Sequence, residues 1–427
     1  MDALVIEGKS GQAGRLQGAV TVSGAKNAAL PVLFATLLSD QDCTLTNVPD
    51  LLDISTTLKI LEHIGATVEW DHNSRSALVN ARSCSSLEAP YELVRTMRAS
   101  VLVLGPLLAR FGKARVSLPG GCTIGARPVN LHLMALEKMG AQIQIDGGYI
   151  NASCSKLRGC EIQFPTISVG ATENIMMAAC LAEGTTVLEN AAREPEITDL
   201  AHFLKLAGAD IHGEGTGTIT IKGMNHLKPA KHQIIADRIE AGTYLTACAL
   251  TGGDVFLPGV SASLLSAVID KLREAGATIE VSQQGIRVRS TGELKGVDIL
   301  TKEFPGFPTD MQAQFMAAMC TAHHSSIINE NIFENRYMHV PELVRLGADI
   351  TIQGNTAVVR GKGPGGLSGA TVMATDLRAS ASLILAALTA KGSTTVRRIY
   401  HLDRGYERME EKLSQLGARI RRVKESK

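Results

Sequence analysis

Cys122 stands in the stretch LPGGCTIGARP, residues 118–128, with glycines on both sides and Arg127 five positions later. A cation near a thiol favours the thiolate, the nucleophilic form, and glycines permit the sharp or mobile backbone of a flap. The same residues also fit a structural cysteine, with Arg127 simply preceding a helix, so the loop alone leaves both readings open. A second set of polar residues recurs at one kind of position: Lys26 with Asn27, Arg98, Ser168 with Gly170, Asp237 with Arg238, Asp310, and Asp376 with Arg378. Each falls where a strongly apolar segment begins. The N–H groups at a helix start lack intrahelical partners and carry partial positive charge, which suits an anion, and cationic side chains beside them add to that attraction. An aspartate at such a place either caps the helix or acts on a proton. Asp310 and Asp376 each follow a threonine, in PTD and ATD, so capping and chemistry are both open for them.

The apolar segments opened by these residues are GAKNAALPVLFATLL, TMRASVLVLGPLLAR, VGATENIMMAACLAEG, RIEAGTYLTACALTG, TDMQAQFMAAMCTAH and TDLRASASLILAALTA. Helices apolar on nearly all sides belong in a domain interior. Between them run amphipathic helices that end in Gly-Ala before an alternating strand, at HIGATVEW, KMGAQIQI, LAGADIHG, EAGATIEV, RLGADITI and QLGARIRR. Glycine at a helix end supplies the left-handed cap. These glycines, at 65, 140, 208, 276, 347 and 417, are spaced by 75, 68, 68, 71 and 70 residues, so the chain reads as six copies of one unit.

A strand often leads in after Leu-x-Gly, as in LQGAVTV and LRGCEIQF, which gives a unit of strand, buried helix, strand, outer helix, strand and strand, or βαβαββ. The last copy stops after ARIRRV, while ALVIEG at the start is a strand with no unit before it, so the two ends are expected to pair. Three units per domain predict an α/β fold of two similar lobes. One spans 23–232 and includes a lid at about 117–128; the other combines 1–22 with 233–427. A cleft between such lobes is the default ligand site.

Forty-three lysines and arginines against forty-two aspartates and glutamates leave a net charge of +1. No overall field draws nucleic acid or a membrane surface, and an anionic ligand has to be held by a local cluster. Asp2, Glu7, Lys9 and Arg15 fall within the first twenty residues, where the apolar core of a secretory signal is therefore not expected. No apolar run reaches the roughly eighteen residues of a membrane span, and a cytoplasmic protein is expected. The eight cysteines form no CxxC pair, HExxH is absent, and the GxG triplets lack the context of a dinucleotide site or a P-loop. Neither a metal nor a nucleotide cofactor is expected.

In order along the chain, SGAKNAALP, TMRAS, LPGGCTIGARPVNLH, SVGAT, NAAREPEI, FPTDMQAQF, FENRYMHVPEL, ATDLRAS and HLDRGYER resemble the motifs of the enolpyruvyl transferases. The resemblance is to the branch whose acceptor is UDP-N-acetylglucosamine, and it covers nearly the whole chain. It implies a two-lobed inside-out α/β barrel with three repeats per lobe. It also implies transfer of the enolpyruvyl group of phosphoenolpyruvate to the 3-hydroxyl of UDP-N-acetylglucosamine, through a tetrahedral ketal and with release of phosphate, as the first committed step of peptidoglycan precursor synthesis. These two substrates are the implied partners, and no cofactor is implied.

Carried over position by position, the resemblance implies that Lys26, Arg127 and Arg404 hold phosphoenolpyruvate, with Arg98, Arg336 and Arg378 adding positive charge. Asn27 is expected to touch the sugar. The nucleotide side is expected to be lined by Arg127, Pro128, Val129, Asn130, Leu131, Thr166, Ile167, Ser168, Val169 and the backbone of Ile332. Asp310 is the implied contact to the 3-hydroxyl and candidate general base, with Asp376 assisting proton traffic. Cys122 becomes the thiol of a lid, a proton donor to C3 or the site of a covalent adduct, and the target of epoxides of the fosfomycin type. The family pattern has lysine where this chain has Thr166, so one phosphate contact is either lost or supplied by another residue.

Two other readings compete. A transferase that uses shikimate 3-phosphate shares the lobes and the ketal chemistry, but the PGGCTIGARP loop argues against it. A silent duplicate that binds the sugar nucleotide as a regulator is the other, and the presence of Lys26, Cys122, Asp310 and Arg404 together argues for turnover.

Overall fold

The computed structural model describes residues 2–8, 14–95, 97–118 and 129–424. These form two compact units. One comprises the described residues from 24 to 235; the other joins 2–8 and 14–23 to 236–424.

Each unit holds three buried helices and three four-stranded sheets. In the 24–235 unit the sheets run Lys231–Gln233, Asp42–Thr46, Ser76–Asn80, Thr67–Asp71; then Glu88–Ala89, Lys113–Ser117, Tyr149–Ser153, Gln142–Asp146; then Glu161–Gln163, Thr185–Glu189, Thr218–Lys222, Asp210–His212. The first pair in every sheet is parallel and the other two are antiparallel. A parallel pair needs a long crossover and an antiparallel pair needs only a hairpin, which is what the repeated order of elements provides. The strands are half-buried: in Thr218–Lys222, Ile219 and Ile221 turn inward while Thr218 and Lys222 face water. The buried helices of this unit are Lys26–Ala35, Leu104–Phe111 and Val169–Ala179.

The other unit repeats the plan around Arg238–Thr251, Gln312–Cys320 and Leu377–Thr389. Every residue of Arg238–Thr251 is buried, as an all-round apolar helix requires. Its last sheet is completed by the start of the chain. The strand Asp2–Gly8 lies between Gly392–Arg397 and Arg419–Lys424, antiparallel to both, with Leu4 opposite Val396 on one side and Arg422 on the other. The two ends therefore pair, as the unfinished last repeat and the unpaired first strand predict.

Two local features depart from the simple repeat. The strand Leu16–Ala19 does not join the sheet beside the helix that follows it. It pairs in parallel with residues 253–256, and Lys231–Gln233 takes the vacant register beside Asp42–Thr46. The chain passes from one unit to the other at 23–24 and at 235–236, so each lead-in strand stays with the unit it is compact with. The segment TMRASVLVLGPLLAR is also not one helix. It forms a 3-10 helix over Arg98–Val103 and an α-helix over Leu104–Phe111. Pro106 has no N–H to donate back along a longer α-helix, and it sits in the first turn of Leu104–Phe111.

The six Gly-Ala glycines all have φ between 92° and 107°, a left-handed conformation that a side chain disfavours. Among the described residues no helix is long and apolar enough to cross a membrane.

Candidate active site

Asp310 lies in the 3-10 turn Thr309–Met311, ahead of the helix Gln312–Cys320, and no side-chain cap bond is made at the start of either element. Its carboxylate turns instead to two arginines. Arg336 Nη2 donates to Oδ1 at 2.7 Å and Arg378 Nε donates to Oδ2 at 3.2 Å. The arginine side chains are 4% and 3% exposed, whereas that of Asp310 is 27% exposed. The carboxylate is thus anchored by buried cations and still reachable from outside. Burial pulls the Arg378 guanidinium towards neutrality, but Asp310, with Tyr406 and Asp237, more than reverses this and holds it above the ordinary arginine range. Arg378 Nη1 is buried with no hydrogen-bond partner among the described residues, which leaves a donor suited to an anion.

The other two aspartates singled out in the sequence behave differently. Asp237 Oδ1 accepts from the N–H groups of Ile239 at 2.8 Å and Glu240 at 3.0 Å, and Asp376 Oδ1 accepts from those of Arg378 at 2.7 Å and Ala379 at 2.9 Å. Both are helix caps. Asp376 thereby fixes the start of the helix that aims Arg378 at Asp310.

Glu330, which is buried, ties the surrounding loops together. Its Oε1 accepts from Thr301 Oγ1 at 2.9 Å and from the Ile332 and Phe333 N–H groups at 2.8 and 3.1 Å, while Oε2 accepts from Thr309 Oγ1 at 2.8 Å. The Asp310 turn is joined in this way to the loop leading to Arg336, and the Ile332 amide is already engaged. Arg404 ends the 3-10 helix Ile399–Arg404. The next residue, Gly405, passes so close to Leu377 that any Cβ would collide with its side chain, which keeps Arg404 near the helix start bearing Asp376 and Arg378. His401 is held below the ordinary histidine range, chiefly by burial and then by Arg398 and Arg404.

In the 24–235 unit, Lys26 opens its buried helix and its Nζ lies 3.0 Å from Asp53 Oδ2. Asn27 beside it is half-buried. Ser168 caps Val169–Ala179, its Oγ accepting from the Ala171 N–H at 3.3 Å, while Thr166 is exposed and Ile167 and Val169 are half-buried. Val129, Asn130 and Leu131 start the helix Asn130–Lys138. These two helix starts are brought together by His132, whose ring packs against Gly170. Asn174 Oδ1 accepts from the Gly105 N–H at 2.7 Å, so its Nδ2 is the donor to His132 Nδ1 at 2.9 Å and the imidazole proton sits on Nε2. Burial, and secondarily Arg98, pushes the His132 pKa down to about 4, so the ring is neutral and Arg98 lies in its vicinity. Cys122, Arg127 and Pro128 lie outside the described residues, as does most of the expected lid.

Asp53, Glu330, His132, Gln314 and Tyr406 escaped the sequence reading. An acid in the first turn of an outer helix, like Asp53, is too common to stand out. Gln314 carried a usable signal, a polar side chain inside the apolar run MQAQFMAAM. Among the described residues no group of three or more His, Cys, Asp or Glu could hold a metal ion.

Residues 11–413 match the family described as EPSP synthase (3-phosphoshikimate 1-carboxyvinyltransferase). A UDP-N-acetylglucosamine 1-carboxyvinyltransferase of Myxococcus xanthus (strain DK1622) is 57% identical over 425 residues, covering 99% of this chain and 100% of that protein. One from Geotalea uraniireducens (strain Rf4) is 56% identical over 425 residues, covering 100% of both. Among solved structures, the enolpyruvyl transferase NikO from Streptomyces tendae has a TM-score of 0.89 at 27% identity, over 99% of each chain. An EPSP synthase from Acinetobacter baumannii has a TM-score of 0.77 at 20% identity, over 99% of this chain and 100% of its own, a likeness of fold alone.

Proposed function

We infer the chemistry of this chain from the family to which it belongs, the enolpyruvyl transferases. The chain transfers the enolpyruvyl group of phosphoenolpyruvate to the 3-hydroxyl of UDP-N-acetylglucosamine and releases phosphate, the first committed step of peptidoglycan precursor synthesis. The observation that carries the choice of acceptor is identity of 56–57% over the full length with transferases named for that sugar nucleotide, against 20% with the EPSP synthase structure.

In the proposed reaction Lys26, Arg127 and Arg404 hold the carboxylate and phosphate of phosphoenolpyruvate, assisted by Arg98, Arg336 and Arg378. Arginine's planar fork suits both anions, and Lys26 supplies a point charge. Asp310 takes the proton of the 3-hydroxyl as its oxygen bonds to C2, while C3 gains a proton from the Cys122 thiol. The resulting tetrahedral ketal then loses phosphate from C2 and a proton from C3, restoring the double bond. What supports Asp310 in this role is its geometry: alone among the three aspartates at helix starts it caps nothing, and it is exposed above two buried cations. Asn27 touches the sugar, Arg127 to Leu131, Thr166 to Val169 and the backbone at Ile332 line the nucleotide side, and Asp376 acts through the Arg378 helix start in proton traffic. We place the reaction in the cytoplasm, where both phosphorylated substrates are made.

Phosphate release measured with each acceptor, with mass spectrometry of the product, tests this reading. The expected product is the enolpyruvyl ether of UDP-N-acetylglucosamine. Turnover with shikimate 3-phosphate alone overturns it, as does tight binding of the sugar nucleotide without any product.

A further inference from the structure

Asp310 is held at two points, its carboxylate and its main chain, and the two holds are connected. Gln314 lies one helical turn after Asp310 and is fully buried. Its Nε2 donates to the Asp310 carbonyl at 2.9 Å and to the Tyr406 hydroxyl at 2.9 Å. The Tyr406 hydroxyl lies 2.9 Å from Thr243 Oγ1, and the Thr243 hydroxyl donates to the Ile239 carbonyl at 2.7 Å. With its proton directed at the Ile239 carbonyl, the Thr243 oxygen is placed to accept from the Tyr406 hydroxyl and, at 3.3 Å, from Gln314 Nε2. The Arg378 guanidinium carbon sits 5.4 Å from the Tyr406 ring centroid, within cation–π range, and Arg378 Nε closes the circuit on Asp310 Oδ2.

We propose that Gln314 and Tyr406 are positioning residues that fix Asp310 for proton transfer, through a ring of contacts running from the Asp310 carbonyl through Gln314, Tyr406 and Arg378 to the Asp310 carboxylate. The proposal rests on the reading of Asp310 as the proton acceptor. Gln314 gives the fold little otherwise: its Oε1 is buried with no hydrogen-bond partner among the described residues, and a leucine of similar volume would suit that interior at least as well. Among the described residues the charged and titratable groups facing this circuit include Arg336 and Arg378 on Asp310, Asp237 and Asp376 against Arg378, and the buried His339 beside Arg336 and Asp376. Loosening Arg378 moves a cation away from the carboxylate, so Asp310 should take up a proton more readily.

The test compares Gln314→Leu and Tyr406→Phe with the unsubstituted full-length chain. The first readout is the pH titration of the Asp310 carboxyl carbon by 13C NMR in aspartate-labelled protein, identified with Asp310→Asn. The second is steady-state kinetics with phosphoenolpyruvate and UDP-N-acetylglucosamine. The midpoint of the Asp310 titration is expected to rise by about one pH unit. The value of kcat is expected to fall on the order of ten- to a hundredfold, with KM for both substrates within about twofold. A titration that does not move in either variant overturns the proposal, as does a kcat within about twofold of the unsubstituted enzyme. If the titration moves but the unsubstituted chain makes no product, the ring stands as the device that holds the carboxylate and the assigned reaction is what fails.

Discussion

Lys26 and Asp53 form a buried ion pair, Nζ to Oδ2 at 3.0 Å, with side chains only 7% and 6% exposed. The lysine opens a buried helix and the aspartate lies in the first turn of the outer helix Leu52–Ile64, so the pair locks the ammonium between two elements. Removing one partner of such a pair leaves the other charge buried without compensation. Asp53→Ala should therefore cost roughly 3–5 kcal/mol in urea unfolding. It should also raise KM for phosphoenolpyruvate, because the ammonium loses its fixed place. Unchanged unfolding would mean that Asp53 does not hold Lys26.

Asp310→Asn keeps the shape of the side chain and a hydrogen-bonding oxygen but cannot accept the proton. Turnover should fall on the order of 10²- to 10⁴-fold, while affinity for UDP-N-acetylglucosamine, read by calorimetry, changes only a few-fold. Parallel losses in binding and turnover would assign Asp310 to substrate positioning alone.

Glu173 predicts a pH dependence of stability. Burial in the helix Val169–Ala179, and then the neighbouring Glu196 and Glu194, hold its carboxyl well above the usual range. Above the ordinary carboxylate pKa the unfolded chain has lost this proton while the folded chain keeps it, so the folded state binds more protons and stability falls as pH rises. Glu173→Gln should raise the thermal midpoint at neutral pH, with the gain growing from acid towards the folded-state pKa. Equal melting of the two proteins across that range would show that Glu173 is not a buried protonated acid.

The seven described cysteines, Cys43, Cys84, Cys154, Cys160, Cys180, Cys248 and Cys320, are all pushed up by burial, Cys180, Cys248 and Cys320 to about 12. A thiol kept protonated is a poor nucleophile. An epoxide of the fosfomycin type should accordingly alkylate Cys122 and spare the rest at neutral pH, as read by mass mapping of the labelled peptide. Cys122→Ser should abolish the label, and modification at any of the other seven would remove the case for an activated Cys122.

Much of the fold was legible because its signals are local. Gly-Ala marks a left-handed helix end within a few residues, and all six such glycines adopt that conformation. Apolar runs marked the buried helices, and a last repeat short of its final strand together with a first strand outside any repeat marked ends that pair with each other. The lead-in strand Leu16–Ala19 was harder. Its residues look the same whichever sheet receives them, and its partner was decided by where the chain changes units.

The candidate site divides along the same line. Residue types and order determined that cations and aspartates recur at the starts of buried helices and that one thiol stands between glycines, since periodicity and composition are written along the chain. Asp237, Asp310 and Asp376 nevertheless look alike there, each an acid ahead of an apolar helix. Only the tertiary structure separated them: two accept from amides two and three residues onward, while Asp310 is turned to guanidiniums 26 and 68 residues away. A cap is a short-range contact that the local backbone can satisfy by itself. An ion pair between distant segments exists only once packing has brought those segments together, and for that reason the folded chain alone shows which of the three carboxylates is turned to distant cations and which two serve their own helices.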